Sequence, residues 1–351
     1  MIASGSFSSS ETEKLPSLNL VRPDSAMALC VFTLKFIITE KKLTDSQFYS
    51  LNSMGPKHFL NFQKISNQEL VSIIDRGIEL KNSSEPEKTL KGKTLGLVFE
   101  QPSTRTRVSF EVGISDMGGS SLFLSGNELQ LSRGEPISDT AKVLSSMLDV
   151  IVLRTDNHEK LEIFSQNSSV PLINGLSNLY HPCQIMADLM TFREVSEGKS
   201  LEKVCWIGDG NNVCHSYIEA ARLLNFELSI FCPKGYEPNA NILESSKKFV
   251  SLTTNKEDAL RDADIVTTDV WTSMSSSTKL KERKKIFREF FVCPDDMKKA
   301  KEKSIFLHCL PAHRGEEITV DMLEDQSSKV WIQAENRMHV QKAILEYLLI
   351  D

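Results

Sequence analysis

The sequence predicts an α/β protein built as two stacked domains, each a parallel sheet flanked by helices, with a long helix joining them. Three observations lead there. Beyond residue 54, short apolar runs of strand length alternate with segments of helical spacing, the pattern of parallel strands covered on both faces. The runs fall into two groups, spanning residues 94–176 and 203–310, with a continuous helical stretch at 184–198 between them. Finally, 351 residues exceed the usual single-domain size.

Taken in order, residues 1–53 read as an appendage. Their longest apolar stretch, AMALCVFTLKFII (26–38), is too short for an ordinary membrane span and is interrupted by Lys35. It sits late for a secretory signal, and Glu11, Glu13 and Asp24 weaken a mitochondrial presequence. An upstream start codon, a leader or a genuine extra helix would each account for it. Ser66 with Glu69 three residues on has capping-box spacing and predicts a helix start. TLGLVF (94–99) predicts a buried strand and VSFEVGISDMGG (108–119) a helix, which puts STRTR at a strand-to-helix junction. A strand at SLFL (121–124) follows, then a helix from Asp139 and a strand at DVIVLR (149–154). SVPLINGL (169–176) is apolar with an expected turn at Asn174-Gly175. After the bridging helix come a strand at 203–209, a helix at 215–226 and strands at 227–232, 264–270 and 304–310. A cleft between two such domains is the default site.

Composition removes some functions. The formal charge is −6, and the one basic run, KLKERKK (279–285), reads as a solvated helix face, so a nucleic-acid partner has no support. No segment reads as a membrane span. The seven cysteines stand singly, without CxxC or zinc-knuckle spacing, which implies reduced thiols in a cytosolic compartment.

Several stretches carry chemistry. In STRTR, Arg105 and Arg107 offer forked donors that cannot deprotonate, and Ser103, Thr104 and Thr106 add hydroxyls beside the free N–H groups of a helix start. Cations are unfavourable at the positive end of a helix unless an anion answers them, so this turn predicts an oxyanion site. HPCQ places His181 and Gln184 at the start of the bridging helix, with proline at a helix-compatible position. VCWIGDGNNV has only Gly208 and Gly210 of a GxGxxG pattern, which argues against a dinucleotide; Asn211 and Asn212 read better as amide donors to a polar ligand. Asp269 ends a strand, where it could receive an ammonium group or cap a turn. HCLPAHRG gathers His308, Cys309, His313 and Arg314, but without compact four-ligand spacing for zinc, and a nucleophilic Cys309 would need a positioned base. Glu335 and Arg337 add a late carboxylate and guanidinium.

Together, FEQPSTRTR, DTAKVL, HPCQIMAD, GDGNNV, DVWTSM, HCLPAHRG and ENRMH resemble the ornithine carbamoyltransferase family, in the family's order, from about His58 to the C-terminus. The resemblance implies a carbamoyl phosphate domain at 54–187, an ornithine domain at 188–330 and a C-terminal helix at 331–351 returning to the first. It implies that Ser103, Thr104, Arg105, Thr106 and Arg154 hold the phosphate and carbamoyl oxygens, with His181 and Gln184 at the carbamoyl group. Asn212, Asp269, Ser273 and Met274 match ornithine-binding positions, Cys309 and Leu310 the loop beside the reacting centre, and Arg337 a further phosphate-side arginine. Arg154, His181, Asp269 and Cys309 are the implied catalytic group, and Arg107 a less direct contact. No metal or organic cofactor is implied; a homotrimer, or a multiple of one, is. Putrescine as acceptor, the reverse reaction and an inactive binding scaffold are the alternatives. Two departures stand out: Gln101 where the family commonly has lysine, and Ser275 where it has glycine.

Overall fold

In the computed structural model, the described residues are 55–271 and 280–350, apart from 86, 127, 128 and 130–133. Residues 56–351 form one compact unit containing two parallel sheets. The first uses β1 (Thr94–Phe99), β2 (Ser120–Ser125), β3 (Val150–Arg154) and β4 (Leu172–Leu176) in the order β2-β1-β3-β4. The second uses β5 (Lys203–Ile207), β6 (Glu227–Phe231), β7 (Val250–Thr253), β8 (Ile265–Thr268) and β9 (Ile305–His308) in the order β7-β6-β5-β8-β9. The inner strands β1, β3, β5 and β8 are almost wholly buried and carry continuous apolar runs, as strands covered on both faces require.

Helices supply the cover. Helix α1 (Asn67–Asn82) opens with the expected capping box: Ser66 Oγ accepts from the Glu69 N–H, and the Glu69 carboxylate accepts from the Ser66 N–H. Helix α2 (Thr104–Asp116) begins four residues before the expected position, so Thr104 to Arg107 form its first turn. Helices α3 (Ile137–Ser145) and α4 (His158–Asn167) follow, then α5 (Pro182–Val195), the bridging helix, which starts at the proline of HPCQ. From Pro182 to Phe192 every residue of α5 is buried, so it is enclosed on all sides. In the second half lie α6 (Asn212–Leu224), α7 (Ala240–Ser245), α8 (Lys256–Leu260), α9 (Leu280–Phe287) and α10 (Pro294–Met297). Helix α11 (Val330–Leu349) packs against α1, α5 and α2, so the end of the chain returns to the first sheet's layer. One apolar cluster runs from Phe59 through α5 to Trp206 and Leu345, and a smaller one lines the far side of each sheet.

Three details differ from the sequence reading. Asn174-Gly175 is no turn: both lie in β4, where a Cβ on Gly175 would come 2.8 Å from Val152 Cγ1. The glycine admits a close neighbouring strand beside a register shift at Leu153/Arg154. Helices α4, α7, α8 and α10 and strand β7 were not anticipated; α4, α7 and α8 are capped by Asn157, Asn239 and Asn255, each accepting a cap bond with its side chain. Arg283 of the basic run is not solvated, for it pairs with Asp209 and lies 4.7 Å from the Tyr236 ring centroid and 4.8 Å from that of Phe287.

Replacing Ser66 by alanine removes the acceptor half of the capping box. The expected cost is about 1 kcal/mol, read as a thermal midpoint lower by about 2 °C. An unchanged midpoint would show that α1 is held by packing alone.

Candidate active site

In each sheet the strand order reverses at one place, between β1 and β3 in the first and between β5 and β8 in the second. The loops leaving the carboxyl ends of such neighbours diverge to opposite faces and leave a crevice, the general ligand position in open α/β sheets. Register puts Phe99 beside Arg154, and Ile207 beside Thr268 and Thr268 beside His308. The STRTR turn, Arg154, the Asp209 to Asn212 turn, Asp269 and Cys309 therefore all emerge from strand ends.

On the first sheet's side, positive charge converges. Ser103 caps α2 without a side-chain bond, leaving the N–H groups of the first turn for another acceptor. Arg105 is exposed, while Arg154 and Arg337 are buried at 6% and 3% exposure. Burial and the neighbouring Arg337 and Arg105 hold the Arg154 guanidinium down to about 10, and burial likewise lowers Arg337. Neither Arg105 nor Arg337 forms an ion pair among the described residues. Instead Arg337 donates to Gln184 Oε1 at 2.7 Å and Thr106 Oγ1 at 2.9 Å, and Arg105 donates to the Leu310 carbonyl at 2.7 Å. His181 is fully enclosed, and burial plus Arg337, Arg154 and Arg105 push its pKa well below the usual value, so the imidazole is neutral. Its Nδ1 has no hydrogen-bond partner among the described residues, while its backbone N–H donates to Ser216 on α6. Arg107 turns away, pairing with Glu111 and lying 3.7 Å from the Phe123 ring centroid.

Across the cleft, Asp269 Oδ2 accepts from Asn211 Nδ2 at 2.7 Å and its Oδ1 accepts from the Cys309 thiol at 3.0 Å. Burial and Asp269 push the Cys309 thiol well above its ordinary value, so it is a donor here, and a thiolate nucleophile is not supported. Asn211, expected to face a ligand, spends its Oδ1 capping α6 and its amide on Asp269. Asn212 Nδ2 donates to the Ser177 carbonyl at 2.7 Å. Ser273 and Met274, like Ser275, lie outside the described residues. Asp269, His308 and Cys309 bring ligand-type atoms within 4.8 Å of one another. Both His308 ring nitrogens already face protein partners, Leu310 N–H and Glu317, so we read the group as a hydrogen-bonded loop.

Sequence reasoning missed the layer that joins the two sides. Asp188 accepts from Gln184, Gln333 and Tyr217, all neutral donors, and burial raises its pKa. Gln333 Oε1 in turn accepts from the His308 N–H. Asp188 falls inside HPCQIMAD, but Gln333 and Tyr217 lie in helices whose pattern gives no hint of this use.

Positive charge gathered on one wall of a cleft, with a carboxylate and a thiol on the other, suits an enzyme that moves a group from an anionic donor to an amine. The chain belongs to the aspartate/ornithine carbamoyltransferase family: residues 57–194 match its carbamoyl-P binding domain and residues 201–348 its Asp/Orn binding domain. An ornithine carbamoyltransferase of Methylococcus capsulatus is 50% identical over 296 residues, 84% of this chain and 99% of its own. One from Acinetobacter baylyi is 48% identical over 299 residues, 84% of this chain and 98% of its own. Among solved structures, the ornithine carbamoyltransferase of Pyrococcus furiosus matches with a TM-score of 0.79 at 42% identity, covering 84% of this chain and 97% of its own. The anabolic enzyme of Campylobacter jejuni matches with a TM-score of 0.79 at 42% identity, covering 83% and 98%.

Inorganic phosphate is expected to stabilise the wild-type protein by about 2.7 kcal/mol at a hundredfold excess over its Kd, and so to raise its thermal midpoint. In Arg105→Ala most of that gain should vanish; equal stabilisation of both proteins, followed by scanning calorimetry, would remove Arg105 from the anion site.

Proposed function

We propose that the protein is an ornithine carbamoyltransferase, moving the carbamoyl group of carbamoyl phosphate to the δ-amine of L-ornithine to give L-citrulline and phosphate. The observation that carries this reading is the convergence of Arg105, Arg154 and Arg337 around a neutral His181, opposite the Asp269–Cys309 pair. In the proposed step the amine nitrogen bonds the carbamoyl carbon and forms a tetrahedral oxyanion. Arg154, the His181 ring and the Thr106 hydroxyl are the proposed donors to that oxygen. The C–O bond to phosphate then breaks, the proton of the attacking nitrogen passes to the leaving phosphate oxygen, and the resulting hydrogen-phosphate dianion stays with Ser103, Thr104, Arg105 and Arg337. Gln184, bonded to Arg337, is assigned to the carbamoyl amide. Asp269 and Asn212 are assigned to ornithine with Ser273 and Met274, and Cys309 and Leu310 border the reacting atoms. The domain division at 54–187, 188–330 and 331–351 belongs to the same reading. The reaction serves arginine biosynthesis or, in reverse, arginine catabolism.

Two further assignments go with it. Val108, Val112, Leu122, Val143 and Met147 are exposed apolar side chains on α2, β2 and α3 or just after it, and Met147 is 73% exposed. Such a surface supports a homotrimer formed through the first sheet's layer. The six described cysteines are unpaired, which supports a reducing, cytoplasmic location, and among the described residues no helix is long and apolar enough to cross a membrane.

The test is citrulline formation from carbamoyl phosphate and ornithine, with putrescine and aspartate as parallel acceptors. Activity with ornithine alone is expected; preference for putrescine would redirect the acceptor reading, and no product with any amine would favour a binding scaffold. The attacking amine must be neutral, so kcat/KM for ornithine should climb with pH toward the free-amine pKa of about 10. Because the Cys309 thiol is already protonated across that range, Cys309→Ser should lower the rate without moving the limb. A displaced limb would make Cys309 the titrating group.

A further inference from the structure

We propose that Glu317 is a positioning residue for the acceptor-side loop, acting through His308 on Cys309 and Leu310. Its kinetic consequences rest on the ornithine carbamoyltransferase reading above. Leu310 has φ 54°, a left-handed backbone that leucine rarely adopts, so something must hold it there. One hold is its carbonyl, which accepts from Arg105. The other is its N–H, which donates to His308 Nδ1 at 2.9 Å. An imidazole nitrogen accepts only when it carries no proton, so the His308 proton belongs on Nε2. That nitrogen faces Glu317 Oε1 at 3.3 Å, and both side chains have no exposure to solvent.

The buried carboxylate therefore selects the tautomer. Glu317 is itself fixed: its backbone carbonyl accepts from the Val292 N–H, and Oε1 also accepts from the His313 N–H at 2.5 Å. The other oxygen lies 3.9 Å from His313 Nδ1. The His308 backbone is held as well, because its main-chain N–H donates to Gln333 Oε1 at 3.0 Å. Were the proton on Nδ1, two N–H donors would face each other at Leu310. The loop would then lose the bond that holds the Cys309 thiol toward Asp269 and the Leu310 carbonyl toward Arg105. No part of this reaches the reacting atoms directly, so Glu317 orients and takes no proton from substrate.

The experiment has two arms on the full-length protein. Spectra of 15N-histidine-labelled wild type report which His308 nitrogen bears the proton: Nε2–H is expected, and Nδ1–H overturns the proposal whatever the activity. In steady-state kinetics Glu317→Ala should lower kcat/KM for ornithine about tenfold, the loss of one buried hydrogen bond, with the KM for carbamoyl phosphate within about twofold. Glu317→Gln keeps an acceptor oxygen and the side-chain shape, so it should fold even where alanine does not and lose only about threefold. A folded variant with unchanged ornithine kinetics, or with equal losses toward both substrates, overturns the positioning role. A wild-type protein inactive with ornithine refutes the functional reading and leaves the tautomer result to stand by itself.

Discussion

Like-charge crowding among Arg105, Arg154 and Arg337 is the constraint around which the site is organised. Burial of two of these guanidiniums beside the third is unfavourable without an anion, and the lowered pKa of Arg154, about 10, records that cost. Neutral partners share the strain without cancelling the charge: Gln184 and Thr106 hold Arg337, and a backbone carbonyl holds Arg105. The same positive field keeps His181 neutral, and it can then offer a hydrogen bond without adding a further cation. A ligand carrying two negative charges relieves all of these at once, so affinity for the donor follows from repulsion in its absence.

The rest of the fold serves to bring that pocket and the acceptor loops together. Switch points in both sheets aim their loops into one cleft. The buried bridging helix α5 has His181 as its N-cap and carries Gln184 and Asp188 on its first two turns, and α11 carries Gln333 and Arg337 back to meet them. The path Arg337–Gln184–Asp188–Gln333–His308–Leu310 is hydrogen-bonded at every step. Gly210 shows how tight the acceptor side is, since a Cβ there would come 2.2 Å from the Pro238 nitrogen.

Much of this was legible in the chain, and the reasons differ by residue. Ser66 with Glu69 and the strand Thr94–Phe99 were readable because they are local patterns. The STRTR turn was readable because arginines at a helix start conflict with the helix dipole unless an anion is present. Asn174-Gly175 misled because glycine's freedom in a turn and its small size beside a neighbouring strand look alike in sequence. Asn211 misled because a cap and a ligand donor use the same amide. Gln333, Tyr217 and Glu317 gave no signal at all: a polar residue on a helix or loop reads as solvated until a partner, 145 residues away for Gln333 and Asp188, is seen against it.

Calorimetric titration with a non-hydrolysable phosphonate isostere of carbamoyl phosphate shows whether the arginine cluster is a donor-dianion site. One site per chain is expected in the wild-type protein, with an affinity lowered at least about a hundredfold in Arg154→Met, where a buried charge-assisted contact is lost. Equal affinity in the two proteins would contradict it.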